Sequence, residues 1–327
     1  MSTATDLRSQ MHDLYASLRL HQWAKNILVF APAMLAGRLD ELPIVLATLV
    51  AFIALGLVAS ATYLINDILD APDDRQHWSK KNRPIAAGRL PISTAAIAAT
   101  AGLIAGITIA VGLSWSAAAV LLVYVALTLG YSLGLKRIPL ADGLVLAILF
   151  TLRLALGVAA ADVAPSAWLF VFSMFLFSSL TYAKRYTELV RSDVRPGEAI
   201  HGRGYRPEDT PLVLAVGVAA GLGAVLIMVL YIIEDAFRQS FYGSTLFLWG
   251  FPPLIFLIVV RIWLVTVRGE MNDDPVKFLL RDPPSLAVLV MLGVCFGFAW
   301  LGKGQLASPQ NTSAVHSILK SVASQPG

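Results

Sequence analysis

Nine apolar runs, most of them close to the length of a membrane span, alternate with polar stretches along this chain. They fall at about 24–37, 44–65, 92–113, 115–134, 142–161, 167–184, 211–233, 246–266 and 285–302. A helix needs about 20 apolar residues to cross a hydrocarbon core of about 30 Å. The runs lack the strict alternation of a membrane β-barrel, so they predict helices that satisfy their own backbone hydrogen bonds in lipid. The third and fourth runs meet at Gly112-Leu113-Ser114-Trp115, which reads as a tight turn. Ahead of the first run, His12 to Trp23 is mildly amphipathic and predicts an interfacial segment.

The polar stretches are charged on alternate sides. Arg8, Arg19 and Lys25 precede or open the first run. Arg75, Lys80, Lys81, Arg83 and Arg89 follow the second, and Lys136 and Arg137 follow the fourth. Lys184, Arg185, Arg191, Arg195, Arg203 and Arg206 end and follow the sixth, and Arg268, Lys277 and Arg281 follow the eighth. With nine crossings all of these lie on one side, while the opposite loops hold only Arg38 and Arg238, and the C-terminal tail holds Lys303 and Lys320. The positive-inside rule makes the charged side cytoplasmic. The expected location is therefore the inner (cytoplasmic) membrane, multi-pass, with the charged loops in the cytoplasm. The similar loops after runs two and six hint at two related halves.

Composition agrees. The chain is 57% hydrophobic and 14% charged, with a mean hydropathy of +0.71; a soluble domain carries about 25% charged residues. The expected fold class is an all-α integral membrane protein, a bundle of about nine transmembrane helices with active-site loops in the cytoplasm. Residues 1–22 form an N-terminal interfacial segment without the apolar core of a signal peptide, 23–302 the membrane domain, and 303–327 a polar tail expected to be disordered. The net charge of +4 does not indicate nucleic acid, because the basic residues cluster between spans. Cys295 is the single cysteine, so no intrachain disulfide forms. Oligomeric state is not legible.

The chemistry concentrates at the end of the second run, in Asn66-Asp67-Ile-Leu-Asp70-Ala-Pro-Asp73-Asp74. Asp67, Asp70 and Asp74 share one face of a continuing helix. Carboxylates beside lipid need a reason such as a bound cation. Followed by a basic loop, they point to a Mg²⁺–diphosphate site in which Asn66, Asp67, Asp70 and Asp74 are the candidate metal ligands. The alternative is a solvated helix end. Pro72 disfavours helix at Ala71, which makes Asp74 the least secure ligand.

Other candidates surround this cluster. In the basic loop Arg83 is the best placed cation for phosphate oxygens, with Arg75 next and Lys81 also possible; ordinary positive-inside charge is the alternative for much of the loop. Lys184 and Glu188 lie one helical turn apart beside Arg185, either as a second anion- or metal-binding group or as a helix-end ion pair. Tyr131 and Lys136 either reach a phosphate or anchor a helix at the interface. Arg153 falls near mid-membrane, where an arginine faces a polar interior. Lys25 and Asn26 open the first run at the rim. The loop Arg268-Gly-Glu270-Met-Asn272-Asp273-Asp274 reads as solvated rather than metal-binding. The five histidines and Cys295 form no metal-ligand spacing, and no nucleophile motif or P-loop is present.

These motifs resemble the UbiA superfamily of intramembrane prenyltransferases, over about residues 17–302. The resemblance rests on Asn-Asp-x-x-Asp-x-x-x-Asp at 66–74 and on the Asp-Arg-x-His…Arg-Pro-Ile-Ala-Ala-Gly stretch that follows it. It implies a helical bundle, a Mg²⁺ cofactor, and metal and diphosphate roles for Asn66, Asp67, Asp70 and Asp74. The family's aromatic prenyltransferases carry a second motif, Asp-x-x-x-Asp; here Lys184 and Glu188 stand there. That departure resembles the branch that includes decaprenyl-phosphate phosphoribosyltransferase, which shares Gln22-Trp23-x-Lys25-Asn26, Tyr131-Ser-x-Gly-Leu-Lys136 and Lys184-Arg-Tyr-x-Glu188-Leu. Some members of the branch carry a fused phosphatase-like domain, and none is expected within these residues. The expected partners are a diphosphate donor, a polyprenyl lipid and the surrounding membrane lipids, with Lys184 and Arg185 on the acceptor phosphate. Prenyl transfer to an aromatic acceptor and lipid-phosphate transport are the competing readings.

Overall fold

The computed structural model describes residues 2–75, 80–192, 194–195, 197–200, 202–238, 242–271 and 274–301. The tail at 303–327, His77, His201, Asn272 and Asp273 lie outside the described residues. Among the described residues the protein is helical throughout, without strands. Helix α1 spans Ser2–Leu18, and a 3₁₀ segment, Leu20–Phe30, leads into the short helix α2, Ala31–Leu35. Then follow α3 (Leu42–Asp74), α4 (Ile92–Leu113), α5 (Trp115–Leu133), α6 (Ala141–Ala161) and α7 (Ala167–Val190). The chain ends in α8 (Thr210–Glu234), α9 (Phe251–Val267), the short α10 (Pro275–Leu279) and α11 (Pro283–Leu301).

Eight of these helices are long and apolar enough to cross a membrane. The predicted first span is not among them: it forms the 3₁₀ segment and α2 instead. It still crosses the bundle. Arg19, just before it, donates to Asp67 at one end of α3, and Arg38, just after it, donates to the carbonyls of Ala161 and Asp162 at the far end of α6. A 3₁₀ helix rises about 2.0 Å per residue, so even this short stretch covers roughly 30 Å. Its backbone presses on α6 at Gly157, where a Cβ would lie 2.1 Å from the Val29 carbonyl oxygen. The amphipathic stretch before it also bends. Arg19 adopts φ 52° and ψ 46°, which separates α1 from the 3₁₀ segment.

The other turns follow local chemistry. Ser114 caps α5 by accepting from the Ala117 N–H at 3.1 Å, making the predicted tight turn. Ser166 caps α7 in the same way, accepting from Leu169. Helices α3 and α4 approach closely at Gly106, where a Cβ would meet the Ala54 carbonyl at 2.8 Å. Small residues at such contacts are what bring membrane helices together. Side chains such as Ile97, Ile104, Leu226 and Val290 remain exposed, as expected for a lipid-facing surface.

Pro72 does not break α3, contrary to the expectation that placed Asp74 in doubt. It sits in the last turn, so the single backbone bond it removes has almost no helix beyond it to unravel. With 33 residues α3 is about 50 Å long. It outruns the hydrocarbon core, which explains how it carries Asp67, Asp70 and Asp74 on its last two turns. Helix α7 ends at the same end of the bundle. Arg83, from the loop after α3, and Arg203, from the loop after α7, are both carried to this end of the bundle.

Candidate active site

Asp67, Asp70 and Asp74 of α3 are each held by a cation. Arg19 Nη2 donates to both oxygens of Asp67, at 2.6 and 2.7 Å. Arg83 Nη1 is shared between Asp67 at 3.1 Å and Asp74 at 2.7 Å. Lys136 pairs with Asp70, which also accepts from the Asn66 amide at 3.0 Å. Ser132 in turn donates to Asn66 Oδ1 at 2.8 Å. Asp67 and Asp74 are each only 3% exposed. Burial on that scale demands paired charge.

The facing wall is built around Asp142, fully buried in the first turn of α6. Arg185 donates to it at 2.5 Å, and Tyr205 donates to its other oxygen at 2.5 Å. Tyr205 also accepts from the Leu140 N–H, so the 191–209 loop is latched to the start of α6. Burial, then the hydrogen bond to Asp142, push the Tyr205 hydroxyl well above the ordinary phenol range, so it stays a donor. The latched loop delivers Arg203, which reaches Tyr131 at 3.1 Å, Asp142 at 3.4 Å and Glu188 at 3.3 Å. Arg185 also holds Glu188, at 2.5 Å.

Between the two walls lies a cavity of about 350 Å³, lined by Asn66, Tyr131, Lys184, Arg185 and Arg203 and, deeper, by Tyr124, Phe150 and Arg153. Lys184 makes no hydrogen bond or ion pair among the described residues and lines this space. Lys25 also lines it and pairs with Asp274 at 2.6 Å. Burial raises the Asp274 pKa, but attraction from Lys25 outweighs it and holds the carboxyl below its ordinary value. Asp274 also caps α10, accepting from Val276 and Lys277, which ties the start of α10 to the Lys25 side of the cavity.

Of the residues singled out in the sequence, Asn66, Tyr131, Lys184, Arg185, Arg153 and Lys25 line this cavity; Asp70 with Lys136, and Glu188, adjoin it through Asn66 and Arg185, while Asp67 and Arg83 line a neighbouring pocket with Arg19, Arg83 reaching on to Asp74. Four differ from expectation. Arg75 is exposed and, among the described residues, ties α3 to the Ala86 carbonyl. Lys81 is exposed, whereas Lys80 is the lysine within electrostatic reach of Asp74 and Glu188. Spacing in a loop does not decide which of two adjacent lysines turns inward. Burial, then repulsion from Arg83, lower the Lys80 pKa. Arg185 is committed to Asp142 and Glu188, so it is a wall residue rather than a free phosphate ligand. Asn26 is 1% exposed and serves Arg153 instead of the rim.

Arg19, Lys80, Asp142, Arg203, Tyr205 and Asp274 were not selected as site residues from sequence. A carboxylate inside the opening turn of an apolar run was the available signal for Asp142. The arginines were indistinguishable from positive-inside charge.

The acids fit Mg²⁺. Among the described residues no three His, Cys, Asp or Glu side chains converge on a single point. Mg²⁺ does not require that, since it is usually held by one or two carboxylates with substrate phosphates and water. The shared Arg83 nitrogen between Asp67 and Asp74 shows that these two oxygens already accommodate one cation between them.

The chain is a helical membrane bundle with acids and cations gathered at one end, beside an internal cavity. Comparison with known proteins makes the class specific: the model of the UbiA prenyltransferase family matches residues 27–281, and the chain belongs to that family. It is 40% identical to protein y4nM of Sinorhizobium fredii, which is uncharacterised, over 88% of this chain and 56% of that one. The chain thus spans little more than half the length of that relative. It is 31% identical to nodulation protein NoeC of Azorhizobium caulinodans, over 86% of this chain and 91% of that one. It is also 31% identical to decaprenyl-phosphate phosphoribosyltransferase of Mycobacterium tuberculosis, over 81% and 87% respectively. A UbiA homologue of Archaeoglobus fulgidus, solved with GPP and Mg²⁺, shares the fold with a TM-score of 0.63 at 14% identity, covering 89% of this chain and 99% of that one.

Proposed function

We propose that the protein transfers the 5-phosphoribosyl group of phosphoribosyl diphosphate to a polyprenyl phosphate, at the cytoplasmic face of the inner membrane. The observation that carries this reading is Lys184, a cavity-lining cation without an ion pair among the described residues, at a position where the aromatic prenyltransferase pattern has an acid. A neutral phenolic acceptor has no use for that charge, and a phosphate acceptor does. The name of the Mycobacterium tuberculosis relative points the same way.

Asp67 and Asp74 would hold Mg²⁺, with Asp70 and Asn66 beside them. The bound ion supplies charge neutralisation for the departing diphosphate. Arg19, Arg83 and Lys136 then exchange their carboxylates for diphosphate oxygens, so each cation keeps an anionic partner throughout. Lys184 orients the acceptor phosphate. One of its ionised oxygens attacks the anomeric carbon of the ribose. The bond from that carbon to the diphosphate oxygen breaks, and its electron pair leaves with the diphosphate. The nucleophile is already deprotonated, so no general base is required.

Lys184→Asp tests the acceptor half. A charge-assisted contact is worth about 1.5–3 kcal/mol, so the acceptor KM is expected to rise at least about tenfold in initial-rate measurements over a range of acceptor concentrations. An unchanged acceptor KM and rate would reduce Lys184 to a helix-end charge.

A further inference from the structure

Arg153 is 5% exposed and sits far below the acids. Its three hydrogen bonds all go to neutral groups. Nε donates to Asn26 Oδ1 at 3.1 Å, Nη1 to the Leu149 carbonyl at 2.5 Å, and Nη2 to the Tyr124 hydroxyl at 3.3 Å. A guanidinium has five N–H donors, so two remain. Among the described residues no carboxylate pairs with it. Asp142, the acid on the same helix, is eleven residues away, roughly 16 Å along the axis. The Asn26 amide nitrogen beside it is also buried without a partner. Contacts with the Phe150 ring, 4.9 Å from Arg153 and 6.0 Å from Lys25, spread positive charge without cancelling it. A buried cation without a counter-ion calls for an anion from outside the chain.

A second cavity of about 280 Å³ lies alongside, and its lining is apolar almost throughout. The two spaces share Leu180. Leu154, next to Arg153, and Leu28, two residues after Asn26, line the apolar one. Phe150 on the polar side stacks on Phe177 on the apolar side, with ring centroids 4.4 Å apart and planes within 8°. Arg153 thus stands at a junction between a cationic chamber and an apolar one. A water-soluble phosphate leaves the second chamber unfilled. A neutral lipid leaves Arg153 unmatched. We infer that Arg153, with the free Asn26 amide, anchors the phosphate head of a polyisoprenyl phosphate whose chain occupies the apolar cavity. This deepens the phosphoribosyl-transfer reading, which supplies the acceptor's identity. The donor's own 5-phosphate has the same head-group chemistry, and the test separates the two.

The test measures binding rather than turnover, by calorimetry on the protein in phosphatidylcholine nanodiscs. The probes are decaprenyl phosphate, decaprenol and phosphoribosyl diphosphate with Mg²⁺. Wild type is expected to bind decaprenyl phosphate at least about tenfold more tightly than decaprenol. Arg153→Met is expected to cut that preference at least about fivefold, the remainder resting on Lys184, Arg153→Lys to restore part of it, and both to leave the phosphoribosyl diphosphate affinity within about twofold. Arg153→Gln, which keeps a donor without charge, replaces the Met variant if that fails to fold. Equal wild-type affinity for the phosphate and the alcohol would overturn the inference. So would a loss that falls on phosphoribosyl diphosphate instead. Arg153-dependent lipid binding without phosphoribosyl transfer would keep this inference and overturn the proposed function.

Discussion

Asp67→Asn is expected to lower transfer by at least about a hundredfold, the scale of losing one preorganised charge-stabilising group, while the bundle stays folded. Asp67 is as enclosed as Asp74, and it is the one that two arginines hold at once. The amide keeps the shape and one acceptor oxygen but cannot balance a divalent ion. Arg83 retains Asp74 in the variant, so the cation shared by the acids is not stranded. A second readout separates metal loss from misfolding. Mg²⁺ with phosphoribosyl diphosphate should raise the melting temperature of wild type by mass action and leave that of Asp67→Asn nearly unmoved. Turnover within a few-fold of wild type, with an intact ligand-induced shift, would remove Asp67 from the metal site.

Asp142→Ala is expected to be the most destabilising single change. Asp142 is fully buried and is the common acceptor for Arg185, Tyr205 and Arg203. Removing one partner of a buried ion pair costs about 3–5 kcal/mol, because the remaining charge is left in a low-dielectric interior. Arg185 at 1% exposure keeps Glu188 as its one carboxylate among the described residues, with the neutral Tyr131 hydroxyl beside it. Tyr205 loses the bond that latches the 191–209 loop, so Arg203 leaves the cavity wall with it. Tyr205→Phe removes two hydrogen bonds, the one to Asp142 and the one from the Leu140 N–H, and should cost about 1–3 kcal/mol. Thermal unfolding in detergent checks both, and a smaller loss for Asp142→Ala than for Tyr205→Phe would contradict the latch.

The parts legible in the sequence are those set by one-dimensional rules. Apolar run length located eight helices, and alternation of charged loops predicted that the basic residues share one end of the bundle with the acids. The crossing at 20–35 was visible as an apolar run, but its 3₁₀ form was not. Helical period cannot be read from so short a stretch, and Gly157 on a distant helix is what lets that backbone pack. Pro72 illustrates the opposite error. A local rule argued for a break, yet position in the last turn made the rule nearly irrelevant. In the candidate site the acids were legible because carboxylates beside lipid are rare. Arg19, Lys80 and Arg203 were not, because a basic residue outside a span has an ordinary reason to be there, and only tertiary docking turns it inward. The pairing of Arg185 with Asp142 was not legible either: the two lie forty-three residues apart in sequence, and pairing across that distance leaves no local mark.

The most direct test of the whole reading is product identity. Purified protein with Mg²⁺ is given phosphoribosyl diphosphate plus decaprenyl phosphate in one mixture, and a prenyl diphosphate plus an aromatic acid in another. Phosphoribosyl transfer predicts a lipid-linked phosphoribose in the first mixture, lost on chelating the metal, and nothing in the second. A prenylated aromatic in the second mixture with no product in the first would contradict it.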